Sequence, residues 1–175
     1  MIVLTWSDLK FDTGKLSIHA AYSYSKYNNG KNVGVTKGKL SRIIPLDPVT
    51  LNMLKKWKEL QIEHLIHLGH QCKSDNEQII FNNTVNNYLK GNYPNEYLKD
   101  ALVKADIKNI TIHGLRHTHI THFREAGADP FGVRDRVGHV IKSDINERVY
   151  THATEKVKQI TLQDLLNYYK TYDVY

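Results

Sequence analysis

His113-Gly114-Leu115-Arg116-His117 places an imidazole and a guanidinium three residues apart on what reads as the first turn of a helix. Residues at that spacing share a helix face, so both groups aim at one spot. A guanidinium grips two phosphate oxygens in a planar fork, which an ammonium cannot do, and the spot therefore suits a phosphate. Taken alone, the two residues fit a structural reading equally well, with Arg116 capping a carboxylate in the fold and His113 satisfying a backbone group. Gly138-His139 and Tyr150-Thr151-His152 follow downstream and add another imidazole and a tyrosine to the same stretch of chain.

Composition narrows the partners. The chain has 175 residues, 41% of them hydrophobic, which suffices for one sizeable core and makes a single domain the expectation. Lys and Arg number 24 against 18 Asp and Glu, and the pI of about 9.2 favours a polyanionic partner. Cys72 is the single cysteine. That excludes an intramolecular disulfide framework and fits a reducing cytoplasm. No apolar run approaches the length of a membrane span, so no membrane partner is expected.

The elements that must position these groups fall in two regions. Leu4 and Trp6 are apolar near the start, and Asp12-Thr13-Gly14-Lys15 marks a turn before an alternating strand over Leu16–Ala20. Asn28-Asn29-Gly30 is a second turn, followed by β runs at Val33–Lys37 and Ser41–Leu46 around Gly38. These three strands are expected to form one antiparallel layer. From Asp47, an N-cap, with Pro48 at the first helical position, the pattern becomes helical, with Leu51, Leu54, Leu60, Ile62, Leu65 and Leu68 on the apolar list and Gly69 as the end. A helical turn is expected over Thr84–Lys90, and a helix opens near Pro94. Another helix carries Leu115, Ile120 and Phe123 up to Gly127, and a short one starts at Asp129-Pro130. Ser143, Asp144 and Glu147 resemble a capping box for a helix bearing Tyr150. In the tail, Val157, Ile160, Leu165 and Tyr169 form an apolar stripe, expected to bury against the chain's own domain or a partner copy. The fold class is thus α+β, mainly helical, with a small antiparallel sheet over 1–46, a helical core over 47–153 and a tail helix over 154–175.

Five features in order resemble the catalytic domain of the tyrosine recombinase, or phage integrase, family. They are Leu4-Thr5-Trp6-Ser7-Asp8, the hairpin from Thr36-Lys37 to Arg42-Ile43-Ile44-Pro45-Leu46, His113-x-x-Arg116-His117-Thr118, Val137-Gly138-His139 and Tyr150-Thr151-His152. The resemblance runs from the start of the chain to about Val157. It implies a mixed domain of helices with a small sheet, cupping duplex DNA, that breaks and rejoins DNA through a 3′-phosphotyrosine intermediate. By the family pattern Tyr150 is the nucleophile, Arg116 and His139 hold the non-bridging oxygens, and His113 manages the nucleophile's proton. Lys37, with Lys39 as its competitor two residues on, protonates the departing 5′-oxygen. Basic residues near the site, namely Arg42, Lys39, Arg134, Arg136 and Lys142, are expected to contact DNA. The resemblance implies no cofactor, and the chain lacks a G-x-x-x-x-G-K-[ST] phosphate loop. It also implies a bacterial or phage-encoded protein working in the cytoplasm as an oligomer on DNA.

Two departures matter. The spacing from His139 to Tyr150 is a little longer than the family's, and the family's first catalytic arginine belongs to a box just before the Leu-Thr-Trp-Ser-Asp stretch. With that arginine and the amino-terminal core-binding domain outside the sequence, the chain by itself is expected to cut DNA poorly. The alternative is a DNA-binding remnant that occupies recombination sites without cutting. A metal hydrolase is a remoter reading, suggested by His113, His117, His119 and His122, but Gly114 stands where H-E-x-x-H needs its glutamate and Arg116 opposes a cation.

Overall fold

The computed structural model describes residues 4–24, 31–35, 41–89, 92–138 and 154–172, with backbone alone for 20–24 and 31–35. These residues fall into two compact units, 1–88 with 138–152 and 89–137 with 153–175, and the chain passes from the second to the first at the Val137–Gly138 bond.

In the first unit, Thr5 begins a short 3-10 turn (Trp6–Asp8) whose Asp8 carboxylate accepts from the Thr5 backbone N–H at 2.8 Å. Strands β1 (Leu9–Lys10), β2 (Lys15–Ile18) and β5 (Arg42–Pro45) form an antiparallel sheet in the order β1-β2-β5, with Leu16 opposite Ile44 and Ile18 opposite Arg42. Alternation along β2 sends Leu16 and Ile18 inward, as a strand's period of two requires. Strand β3 (Ala20–Tyr24) pairs with β4 (Lys31–Val35) in a separate two-stranded ladder. The expected single layer of three strands is therefore corrected. Residues 20–24 form a strand of their own and take up the pairing edge of β4 that the expectation assigned to the common sheet.

Helix α1 (Pro48–His67) starts as the sequence indicates, with the Asp47 carboxylate accepting from the Thr50 N–H at 2.8 Å and Pro48 in the first turn. Its buried face differs from the apolar list. Gln61 and Leu65 are buried, whereas Leu60, Ile62 and Leu68 are exposed. A glutamine takes a core position because its amide is satisfied. Trp6 Nε1 donates to its oxygen at 2.7 Å, and its nitrogen donates to the carbonyls of Ile79 and Ile80 at 2.9 and 3.0 Å and to Asn82 Oδ1. Around this hub Trp6, Leu9, Leu16, Ile18 and Ile80 make the core, with Leu51, Leu54 and Trp57 of α1 packed on it.

The expected helical turn after Thr84 is also corrected. Asn83 Oδ1 accepts from the N–H groups of Val85 and Asn87, Asn86 adopts a φ of 50°, and Asn82 bridges Tyr88 as a β pair. The asparagine side chain offers those backbone donors an alternative to helical bonds, and the loop closes on itself.

The second unit holds α2 (Tyr93–Lys104), α3 (Ile112–Glu125), α4 (Pro130–Val137) and α5 (Glu155–Thr171). Thr111, Asp129 and Thr154 satisfy early N–H groups of α3, α4 and α5 at 3.0, 2.7 and 3.3 Å. Phe123, Ala128, Val133 and Leu165 form the core, with Tyr169 packed against it. α5 buries Thr161, Leu162 and Leu165, while Ile160 is 47% exposed. The tail helix thus covers its own unit's core with Leu165 and Tyr169 of the expected stripe, while Ile160 points away and Thr161 and Leu162 are buried beside them. Gly132 of α4 permits the close approach, since a Cβ there would fall 2.1 Å from Thr161 Oγ1. The proposed capping box at Ser143, Asp144 and Glu147 lies outside the described residues.

Candidate active site

The first turn of α3 is set by Thr111, whose hydroxyl accepts from the Gly114 N–H, and it presents His113 exposed at its start. His113 and His117, one turn apart, meet edge to face with ring centroids 4.5 Å apart. Arg116 is half-buried and donates through Nη2 to the carbonyl of Val137 at 2.5 Å. Val137 is the last residue of α4, where helix carbonyls lack intrahelical partners and carry the negative end of the dipole. A cation is therefore well placed there. A guanidinium carries five N–H donors and this bond uses one of them. Arg116 thus caps a backbone carbonyl rather than a carboxylate, and it ties the α3 helix to the residue just before Gly138-His139.

Positive charge accumulates around this bond. Arg134 and Arg136 occupy the last turn of α4, and the Arg136 guanidinium lies 5.7 Å from the centre of the Phe123 ring. His119, half-buried and edge-on to Phe123 at 4.6 Å, has its pKa lowered to about 4. Burial is the main cause, followed by repulsion from Arg136, His122 and Arg116. His119 is therefore neutral at pH 7, and the field it senses is cationic.

In the first unit, Gly138 has a φ of +68°, a conformation that glycine adopts without strain. A Cβ at Gly138 would meet the Arg42 guanidinium at 2.5 Å from Nη1, 2.6 Å from Cζ and 3.0 Å from Nη2. Arg42 of β5 therefore lies flat against the glycine that precedes His139. Lys37, Lys39, His139, Lys142 and Tyr150 lie outside the described residues. Among the described residues no group of three or more His, Cys, Asp or Glu side chains could hold a metal ion, so His113 and His117 lack a third ligand there. Among the same residues no helix is long and apolar enough to cross a membrane.

A sequence model of the phage integrase family matches residues 1–156. The chain belongs to the phage integrase family. Among curated relatives, it is 35% identical over 121 residues to the tyrosine recombinase XerD of Oceanobacillus iheyensis, a match covering 68% of this chain and 38% of that protein. It is 28% identical to the integrase of Staphylococcus phage L54a over 94% of this chain and 46% of the relative. The ICEBs1 integrase of Bacillus subtilis matches over 95% of this chain and 45% of its own length at 25% identity. The chain thus spans less than half the length of these relatives. Among solved structures, the Tn1549 transposon integrase in complex with a circular intermediate DNA superposes with a TM-score of 0.61 at 18% identity, covering 93% of this chain and 52% of that one. XerA recombinase gives 0.57 at 21%, covering 91% and 50%. These likenesses show the fold, the mainly helical α+β fold of tyrosine recombinase catalytic domains.

Sequence reasoning missed several features of this region. His119 reads as one more histidine of a crowded helix, and its place beside Phe123 and Arg136 needs the packing of α3 on α4. The Arg42 contact with Gly138 joins positions far apart in sequence. The partial signal for it was Gly138 itself, a glycine directly after an apolar helical residue, where a left-handed helix end is common. Two tyrosines of α5 are engaged with side chains of α3. Tyr168 donates to Glu125, which pushes its pKa up to about 12, and Tyr169 meets His122 Nδ1 at 3.2 Å.

Proposed function

We propose that this chain is the catalytic domain of a site-specific DNA recombinase that works through a 3′-phosphotyrosine intermediate. The bond from Arg116 to the Val137 carbonyl carries the reading, because it couples the His-x-x-Arg helix to the approach to Gly138-His139, and both motifs lie within the residues that match the phage integrase family. The Tyr150 hydroxyl attacks the scissile phosphorus and the P–O5′ bond breaks. The products are a phosphotyrosine diester on the 3′ side and a free 5′-hydroxyl. His113 takes the tyrosine proton, and Lys37 delivers a proton to the 5′-oxygen. Arg116 and His139 hold the non-bridging oxygens, where charge builds in the transition state. Reversal with a 5′-hydroxyl from another strand rejoins the DNA, so the bond energy is kept and no nucleotide is consumed.

The partner is double-stranded DNA, as the net charge of +6 and the cationic field around His119 support. Arg134, Arg136, Lys39 and Lys142 supply phosphate contacts, and the DNA-bound state is a homo-oligomer. The test uses the protein in the longest form its reading frame encodes and a pool of randomised duplexes, each nicked so that the 5′-hydroxyl fragment diffuses away after cleavage. A detergent-stable protein–DNA adduct should form without divalent metal and vanish with Tyr150→Phe. An adduct that needs metal or survives Tyr150→Phe, or the absence of any adduct, overturns the reading. DNA binding by wild type and Tyr150→Phe alike without any adduct would favour a binding remnant.

A further inference from the structure

We propose that Arg42 is a positioning residue for His139, a role that rests on the reading of His139 as a transition-state contact. Arg42 sits in β5 opposite Ile18, on the same face of the sheet as Ile18 and Ile44 at the edge of the Trp6 core, so its backbone is held by a ladder rather than a loop. Its planar guanidinium covers the Gly138 Cα, with three of its atoms within 3.0 Å of where a Cβ would stand. Gly138 therefore answers two demands at once. It takes a φ of +68°, and it leaves the space that the guanidinium fills. His139 is one peptide bond further on. A displacement of about 1 Å in a group that meets the reacting phosphate costs up to about 100-fold in rate, so a buttress on the preceding residue has leverage on the chemistry. The role differs from that of a surface arginine on the DNA backbone, because here the flat face of the group is used and a lysine cannot reproduce it.

The experiment measures two quantities on Arg42→Ala, Arg42→Lys, Gly138→Ala and the Arg42→Ala/Gly138→Ala pair. They are the rate of Tyr150-dependent adduct formation on the nicked duplex pool and the salt dependence of duplex binding. Arg42→Ala should slow the adduct by about 10- to 100-fold, and Arg42→Lys should fail to restore it. The salt slope should stay at its wild-type value. A phosphate-contacting arginine would instead lower it by roughly 0.9 log unit per log unit of salt. Gly138→Ala should slow the adduct in the wild-type background and cost less in the Arg42→Ala background, where the space beside the added methyl is open. An adduct at wild-type rate from Arg42→Ala overturns the role, as does a reduced salt slope that lysine restores. Strictly multiplicative effects of the two substitutions overturn it too. No adduct from the wild-type protein overturns the recombinase reading and this role with it, a result distinct from the others.

Discussion

His119 is a built-in probe of the charge around Arg116, and its titration can be followed directly. Its pKa is lowered from 6.5 to about 4, with burial first among the causes and Arg136, His122 and Arg116 following. The folded protein therefore resists a proton that the unfolded chain accepts. Stability from this group is present in full above about pH 6.5 and is lost as pH falls toward about 4, below which both states are protonated. A displacement of this size corresponds to roughly 3 kcal/mol, and because His119 is only half-buried, solvent screening leaves about 1–2 kcal/mol. Urea unfolding between pH 7.5 and 4 should show that loss, and NMR of the imidazole ring should place the midpoint well below 6.5. Arg136→Ala should raise the midpoint, removing a cation and admitting solvent in the same step. Arg116→Ala should raise it less. Duplex DNA should raise it as well, since phosphates entering the same field favour the imidazolium. A His119 that titrates near 6.5 in the free protein, or one indifferent to Arg136→Ala, would refute the cationic cluster that supports phosphate binding.

Gly132→Ala should destabilise the second unit by about 2 kcal/mol in urea unfolding, because overpacking beside Thr161 outweighs the better helix propensity of alanine. Thr161→Ala should recover part of that loss, since the Thr161 hydroxyl is buried with no hydrogen-bond partner among the described residues. A Gly132→Ala protein as stable as wild type would contradict the packing of α4 on α5. Deleting residues beyond Thr154 strips Leu165 from the core around Phe123. It should abolish cooperative unfolding of that unit, and a deletion variant that stays folded by circular dichroism while losing only self-association would show that α5 serves assembly instead.

Local chemistry made much of this legible. Asp47-Pro48 and Asp129-Pro130 each place a capping carboxylate before a proline at the first helical position, and both helices begin there. Thr154 and Gly127 mark further ends that side-chain and backbone conformation impose locally. What failed depended on partners distant in sequence. Gln61 could be given its core position only once Trp6 and residues 79–82 are brought to it, and Ile160 reads as apolar while Thr161 is the residue α4 covers. The turn at 83–87 went unread because an asparagine side chain supplied bonds that a helix would have supplied. Motif spacing put His113 and Arg116 on one helix, and α3 carries both, whereas the bond to Val137 and the Arg42 contact required the fold.

The central claim is that Tyr150 becomes covalently joined to DNA. Digesting the adduct with nuclease and protease and locating the residual nucleotide by mass spectrometry tests it most directly. The account predicts one modified peptide, with a 3′-linked nucleotide phosphate on Tyr150 and none on the other ten of the chain's 11 tyrosines. A nucleotide on another tyrosine, on a serine, or linked through a 5′-phosphate would contradict it.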